Sequence, residues 1–349
     1  MSEGEEELNV GAVRLEEVAS AANVSLSTAS KALRGKPHVS EKTRIRVIDA
    51  ARRLGYSAAE AMASMARLSV EDSHGVQDFR VGIIGVDMKG VFSPTILIGA
   101  ENAFQARSAA VSLFNASGNE ALFHSGIERM LVQGVSGLLI ISRRADPVPY
   151  YVDSPVPVVY AYGPSRNPDD CSVTQDNVES GRLAVRHLLS RGRTRIAIIA
   201  GDSEYSVTHE RMQGALKALH DAGLQLAGEA RFGPWEAEWG RAATRLLLND
   251  GPAFDAVICQ NDVLARGCIE ELARNGYRVP QDVAVIGHDN SPDYVSYAHP
   301  LLTSIDDNNE MLGRQAALCL LDAIAGHPRH GVERVPVNLI QRESTLPLD

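Results

Sequence analysis

Ser27, Thr28, Ser30, Lys31 and Arg34 fall within eight consecutive positions of the chain. Hydroxyls and cations this dense can address base edges in a DNA major groove or the oxygens of its phosphates. Lys42, Arg44, Arg46, Arg52 and Arg53 follow and could anchor further phosphates. The same residues would also suit the solvated face of a basic helical bundle with a protein partner. The usual signatures of catalysis are absent from the sequence: no G-x-G-x-x-G after a strand-like run, no P-loop, no G-x-S-x-G and no H-E-x-x-H. His327 and His330 form an H-x-x-H beside Pro328 in a loop-like stretch, a poor frame for a metal. No catalytic residue, metal ligand or cofactor is expected.

The elements that must carry the basic residues are helical. Leu15, Val18, Ala19 and Ala22 repeat at helical spacing. Asn23 then breaks the run, and Asn tolerates the left-handed backbone of a tight interhelical turn. Ser25 suits an N-cap for a second helix from Leu26 to about Arg34, which Gly35 and Pro37 stop. Ser40 suits the cap of a third, about Glu41 to Leu54, with Ile45, Ile48 and Ala51 on one face. Helix, tight turn, helix and a supporting third helix make a helix-turn-helix unit. Residues 58–67 are rich in Ala and Met and favour a further helix. Residues 69–78 are polar and aperiodic, a linker.

Charge separates this head from the rest. The 349 residues carry a formal net charge of -10. Residues 12–68 hold 10 basic and 5 acidic side chains, while residues 69–349 hold 24 basic and 35 acidic. A basic head on an acidic body implies two tasks. Residues 1–11, with four Glu, read as a disordered acidic tail, and neither a secretory signal nor a transit peptide. No apolar run approaches the roughly 18 residues that span a bilayer, so no membrane is expected. The four cysteines, Cys171, Cys259, Cys268 and Cys319, form no C-x-x-C pair, which fits reduced thiols in a cytoplasmic protein.

From Phe79 onward the rhythm is strand, then helix. Short apolar strands are expected at 81–86, 109–114, 137–141, 156–160, 195–200, 255–259 and 283–287. Helices are expected near 94–107, 120–133, 177–190, 208–222, 237–249 and 262–275. Fully apolar strands alternating with helices argue for parallel sheets covered on both faces. The expected fold class is an all-α helix-turn-helix head joined to an α/β body of two doubly wound parallel-sheet lobes. Residues 12–57 make the head, 58–78 a hinge helix and linker, and 79–349 the two-lobed part. The first lobe is placed at about 79–173 plus 307–323, and the second at about 174–306 plus 324–349.

The segment Leu15 to Tyr56 closely resembles the DNA-binding head of the LacI family of bacterial transcriptional regulators. Val18-Ala19, Val24-Ser25, Thr28, Ser30, Leu33, Val39-Ser40, Thr43-Arg44 and Leu54-Gly55-Tyr56 fall in register with that family's pattern. The resemblance implies that Leu26, Ser27 and Lys31 occupy the main base-reading positions, with Thr28, Ser30 and Arg34 adding phosphate or base contacts. It also implies a hinge helix whose apolar residue wedges into the minor groove. The family's Pro and Asn after Gly55-Tyr56 are replaced by Ala58 and Ala59, and Met65 stands at the wedge.

The resemblance continues through most of the chain, as in V-S-G-L-L-I-I-S (135–142), H-E-R-M-Q-G (209–214), C-Q-N-D-V-L-A-R-G (259–267) and V-P-Q-D-V-A-V-I-G-H-D-N (279–290). These stretches look like the family's effector domain, similar to periplasmic sugar-binding proteins. By that likeness Phe92, Arg211, Trp235, Asn261 and Asp289 would hold an effector. Arg211 offers a rigid fork of donors, Asn261 donates and accepts, and Asp289 accepts. Asn261 and Asp289 follow apolar strands, at the carboxyl ends where open α/β sheets bind ligands. Asp262 reads as a helix cap, Asp176 as a cap or a ligand contact, and Trp239 as packing. An aromatic face with Arg, Asn and Asp suits a neutral polyol better than an anion. His288 replaces the more frequent aromatic, which leaves the ligand's identity open.

The sequence therefore reads as a cytoplasmic repressor of carbohydrate-utilisation genes. It would bind a pseudo-palindromic double-stranded DNA operator as a homodimer and answer to a mono- or disaccharide between the lobes. No Leu heptad follows Thr345, which disfavours a coiled-coil tetramer. Alternatives are a non-sugar effector such as a nucleobase, or a small-molecule binding protein without a DNA role. Whether the effector releases or promotes DNA binding is not encoded in any residue pattern.

Overall fold

The structure, a computed structural model, describes residues 15–33, 40–54, 80–90, 92–150, 152–250, 253–296 and 299–346. It divides into two compact units, Met1–Gln77 and Asp78–Asp349. In the first, α1 (Leu15–Ala21), α2 (Leu26–Leu33) and α3 (Glu41–Leu54) pack together. Asn23 takes the left-handed turn with φ +47°. Ser25 Oγ accepts the Thr28 N–H at 3.2 Å, and Ser40 Oγ accepts the Thr43 N–H at 3.3 Å. The two S-x-x-T pairs thus cap α2 and α3 by the same contact. Val18, Ala19, Ala22, Ala29, Ala32, Val47, Ala50 and Ala51 form the small core. One expectation fails: Ile45 is 53% exposed, while Ala51 is buried as expected and Val47 and Ala50 join it. The expected acidic tail, hinge helix and linker lie outside the described residues.

The second unit contains two six-stranded sheets. The first runs in the order β11 (Val332–Val335), β5 (Cys171–Gln175), β4 (Val158–Ala161), β3 (Gly137–Ile141), β1 (Arg80–Gly85) and β2 (Ala110–Asn115), all parallel. Around it lie α4 (Ser93–Gln105), α5 (Glu120–Val132) and α11 (Asn309–Ile324). The second sheet runs β12 (Asn338–Ile340), β10 (Thr303–Asp306), β9 (Ala284–His288), β8 (Ala256–Cys259), β6 (Ile196–Ala200) and β7 (Arg231–Phe232). Only β12 is antiparallel there. Its helices are α6 (Asn177–Ser190), α7 (Ser206–Asp221), α8 (Ala237–Asp250), α9 (Asp262–Arg274) and the short α10 (Pro292–Val295).

Alternate residues of each strand enter opposite cores, as a doubly covered sheet requires. In the first sheet, Ile83, Leu139 and Val159 join one cluster with α4 and α11, while Ile84, Leu138 and Ile140 join another with α5. In the second, Ile196, Ile198 and Ile258 pack on α6 and α7, while Ala197, Ile199 and Val257 pack on α8 and α9. All four cysteines are free and buried. Cys171 lies on β5, a strand that was not foreseen because C-S-V-T-Q carries few large apolar residues.

The chain passes between the sheets three times, after β5, after β10 and after β11. This corrects the expected allocation of 324–349 to the second lobe. Residues 332–335 pair with β5 of the first sheet, and only β12 onward joins the second. A short polar strand at a sheet edge, such as V-E-R-V, has no apolar alternation by which to choose a sheet.

One packing detail sets the position of everything built on α7. A Cβ added at Gly181 of α6 would collide with the Arg211 carbonyl oxygen, and one at Gly214 of α7 would meet that of Val178. The two helices touch backbone to backbone through these glycines. Gly181→Ala should lower unfolding stability by about 1–3 kcal/mol, read as a lower urea midpoint at unchanged slope. An unchanged midpoint would show that the close approach is not a constraint.

Candidate functional site

In the head, Lys31 is exposed on α2, and Lys42, Arg46 and Arg53 are exposed on α3. Thr28 is half-buried, and its hydroxyl is engaged with Ser25 at 2.8 Å. Leu26, Ser27 and Ser30 stand on α2, whose backbone alone is described at those positions. Arg34 and Met65 lie outside the described residues.

In the larger unit, the carboxyl ends of the parallel strands surround a cavity of about 370 Å³. This is the size of a small-molecule site. Phe92, Arg211, Trp235, Asn261 and Asp289 all line it. Phe92 comes from the first sheet's side and stands at the N-cap of α4, with its ring 5.8 Å from that of Tyr162. The other four come from the second sheet's side. Trp235 lies where a Cβ on Gly201 would strike the indole, so the residue after β6 must be small. Tyr205 meets its ring edge-on at 5.9 Å. Trp239 donates its Nε1–H to the Ala200 carbonyl at 3.2 Å and packs into the core.

Arg211 is the most constrained group in the cavity wall. It is 8% exposed. Its Nε–H donates to Asn177 Oδ1 at 3.0 Å, and an Nη1–H to the Gln260 carbonyl at 2.7 Å. Its Nη2 lies 3.6 Å from Asp307 Oδ2. Asp307 Oδ1 accepts from His288 Nε2 at 2.6 Å. Burial and the nearby Arg211 charge depress the His288 imidazole, so the ring is neutral at pH 7 and donates this bond. Burial works to raise the Asp307 carboxyl, but His288 and Arg211 outweigh it and hold it below the usual range. Asp307 Oδ2 has no hydrogen bond of its own among the described residues.

Asn177 follows the first crossover, and Asp307 stands in the second. Gln175 Nε2 donates to Asn309 Oδ1 at 3.0 Å and joins the same two segments. The Asp176 N–H reaches the Val335 carbonyl at 3.3 Å, so the third crossover is tied in as well. Asp176 itself caps α6, accepting the Glu179 N–H at 2.9 Å. A group in the cavity that touches Arg211 thus touches a residue bonded to two crossovers.

His288, Asp289 and Asp307 offer three ligand atoms within 4.8 Å of one another. The Arg211 cation beside Asp307 opposes a metal ion there, and His288 already spends its Nε2 on Asp307. Asp289 sits at φ +97° and Asn290 at φ +48°, in a tight turn that aims the Asp289 side chain into the cavity. Burial pushes the Asp289 carboxyl well up, and Asp307 and Asp262 add to this against Arg211.

The structure moves the helix cap expected of Asp262 to Asn261, which also lines the cavity. Asn261 is the N-cap of α9, accepting the Leu264 N–H at 2.8 Å, and keeps its amide N–H groups for the cavity. Asp262 is fully buried one residue on. It accepts from the Ser304 hydroxyl at 2.6 Å and from the Ser291 N–H at 2.8 Å. Ser304 Oγ in turn accepts the Asn290 N–H at 3.0 Å. Asp262 therefore braces the turn that presents Asp289. A carboxylate after a strand suits either position, and only the residue with extended φ and ψ can cap.

Sequence reasoning missed other cavity residues: Lys89, Arg143, Arg144, Tyr162, Tyr205 and Tyr294. Arg143 and Arg144 follow the apolar run of β3 after Ser142, a signal of the kind that singled out Asn261 and Asp289. Tyr162 is held at φ +78°. Burial, with Asp307 and Asp289, pushes its phenol far up, so it remains a neutral hydroxyl.

Residues 14–58 match the profile of bacterial regulatory proteins of the lacI family, and residues 185–345 that of a periplasmic binding protein-like domain. The HTH-type transcriptional regulator CelR of Thermobifida fusca is 32% identical over 341 residues, 95% of this chain and 97% of the relative. The lactose operon repressor of Escherichia coli is 30% identical over 340 residues, 96% of this chain and 91% of the relative. Among solved structures, the lac repressor dimer bound to operator and the anti-inducer ONPF is similar with a TM-score of 0.66 and 27% identity, over 96% of this chain and all of that one. A CelR–cellobiose complex is similar with a TM-score of 0.60 and 28% identity, over 95% of this chain and 99% of that one.

Asp262 yields a test of the cavity's frame. Burial raises its carboxyl to about 7. A folded-state value above the unfolded one means that the group costs stability as pH rises towards and through 7. Relative to Asp262→Asn, the wild type should lose on the order of 2 kcal/mol between pH 5.5 and pH 8, measured by urea denaturation. Parallel pH profiles for the two proteins would contradict this.

Proposed function

Because the chain belongs to the lacI family of bacterial regulatory proteins, we propose that it is a cytoplasmic repressor of carbohydrate-utilisation genes, binding a pseudo-palindromic operator as a homodimer under control of a small saccharide-like effector. One observation carries the effector reading: five side chains from both sheets, separated by up to 197 positions between Phe92 and Asp289, meet around one cavity. Trp235 and Phe92 supply flat apolar faces for a sugar ring, and Arg211, Asn261 and Asp289 supply donors and acceptors for its hydroxyls. The relative solved with cellobiose and the one solved with operator are consistent with both halves of the reading.

On the DNA side, α2 would enter the major groove with Leu26, Ser27 and Lys31 towards base edges. Thr28, Ser30 and Arg34 would contact phosphates or bases, and Met65 would wedge into the minor groove. Two heads are needed for two half-sites, which is the reason for the dimer. The effector would act by binding one arrangement of the two sheets better than another and so shifting the DNA-competent population. That differential affinity has a physical route through Arg211, which contacts both the cavity and the crossovers.

The test is a titration of the full chain against DNA from upstream of its own gene. Affinity should fall steeply with salt, by about 0.9 in log–log slope for each phosphate neutralised. Met65→Asp should weaken binding by about tenfold or more, and a saccharide should change the affinity of the wild type but not of Arg211→Ala. Unaltered affinity in Met65→Asp would remove Met65 from the wedge role. DNA binding that no saccharide changes would overturn the effector class.

A further inference from the structure

The cavity's charge is lopsided. Lys89, Arg143, Arg144 and Arg211 line it, against Asp289 as the one carboxylate among the described residues of its wall. Two of the cations are already committed. Arg143 pairs with the buried Asp87 at 3.3 Å, and Arg211 is shared among Asn177, Gln260 and Asp307. Lys89 and Arg144 have no carboxylate partner among the described residues. Both belong to loops at the carboxyl ends of first-sheet strands, Lys89 after β1 and Arg144 after β3. The Arg143–Asp87 ion pair joins the two loops.

Arg144 is also held in place. Its guanidinium carbon lies 4.6 Å from the centre of the Tyr205 ring, which belongs to the second sheet's side of the cavity. A guanidinium lying on an aromatic face keeps its edge N–H groups for an acceptor in its own plane. The neighbouring Asp146 accepts the Ser206 N–H at 2.9 Å, so the Arg144 loop is pinned across the cavity at a second point. The N-terminus of α4, at Phe92, has no side-chain cap, and its partial positive charge adds to the same wall.

We propose that the effector carries an anionic group, a carboxylate or a phosphate, received by Lys89 and Arg144 while Trp235, Asn261 and Asp289 hold its hydroxylated ring. This rests on the saccharide reading above and narrows it to acidic or phosphorylated sugars. It revises the expectation of a neutral polyol, which counted Arg211 and overlooked the three basic residues on the first sheet's side. It also assigns the two sides different tasks: the second recognises hydroxyls and the first recognises charge. Arg144, bridging from one loop to Tyr205, is placed to make cavity closure depend on that charge.

The experiment is calorimetric titration of the full-length chain with a panel of pentoses, hexoses and disaccharides. Each sugar is offered as the neutral compound, as its uronate or aldonate, and as its phosphate ester, so the arms separate carboxylate from phosphate. At least one anionic member should bind about tenfold or more tighter than its neutral parent, with an affinity that falls as salt rises. Lys89→Met/Arg144→Met, checked for an unchanged melting temperature, should lose about tenfold or more of the preference for that ligand over its neutral parent. Neutral sugars binding as well as or better than their anionic forms would overturn the anion subsite and leave the saccharide reading standing. A double variant that binds the anionic ligand as the wild type does would also overturn it. No binding by any member would overturn both readings.

Discussion

A guanidinium cannot be buried without acceptors and a counter-charge around it, and Arg211 has them from three separate parts of the chain. Asn177 comes from the end of one crossover, Asp307 from another, and the Gln260 carbonyl from the end of β8. The helix that carries Arg211 can reach this position because Gly181 and Gly214 let α6 and α7 touch along their backbones. Most of the cavity's geometry depends on this one cation being satisfied. Left unmatched, it would draw water into the wall or force the crossovers apart.

The same arrangement links binding to conformation. Two sheets joined by three short crossovers can change their relation only by changing those segments. Arg211's contacts to Asn177 and Asp307, the Gln175–Asn309 bond and the Asp176–Val335 bond all engage them. A ligand that prefers one arrangement of this network over another shifts the population by that preference and by no more. A purely structural buried pair would have been as stable with apolar residues of similar volume. Its position at the cavity wall gives the charge a reason to be there.

The sequence was legible where local chemistry decides the outcome. The Ser25 and Ser40 caps, the Asn23 turn and the apolar strands were readable because each depends on neighbours a few residues away. The five cavity residues were named through a family likeness supported by their place after strands. What was not legible depends on distant pairing. Asp307 looks like any carboxylate after a strand until Arg211 and His288 are seen beside it. Asn261 and Asp262 differ by one position, and only the tertiary contacts of Ser291 and Ser304 separate a cap from a brace. Ile45 reads as core by spacing, yet the small residues of α1 and α2 leave room for Val47 and Ala50 instead. The assignment of β11 to the first sheet rests on edge pairing with β5, for which V-E-R-V holds no signal.

The central claim, that Arg211 and Asp307 form one matched unit, is tested most directly by a double-mutant cycle on unfolding stability. The variants are Arg211→Met, Asp307→Asn and the two combined, each denatured with urea in the absence of effector. The account predicts that Arg211→Met alone loses about 3–5 kcal/mol, because it strands a buried carboxylate. Adding Asp307→Asn should recover a large part of that loss, with a coupling energy of about 1 kcal/mol or more. Strictly additive losses would contradict the account, since they would mean that the two side chains do not answer each other.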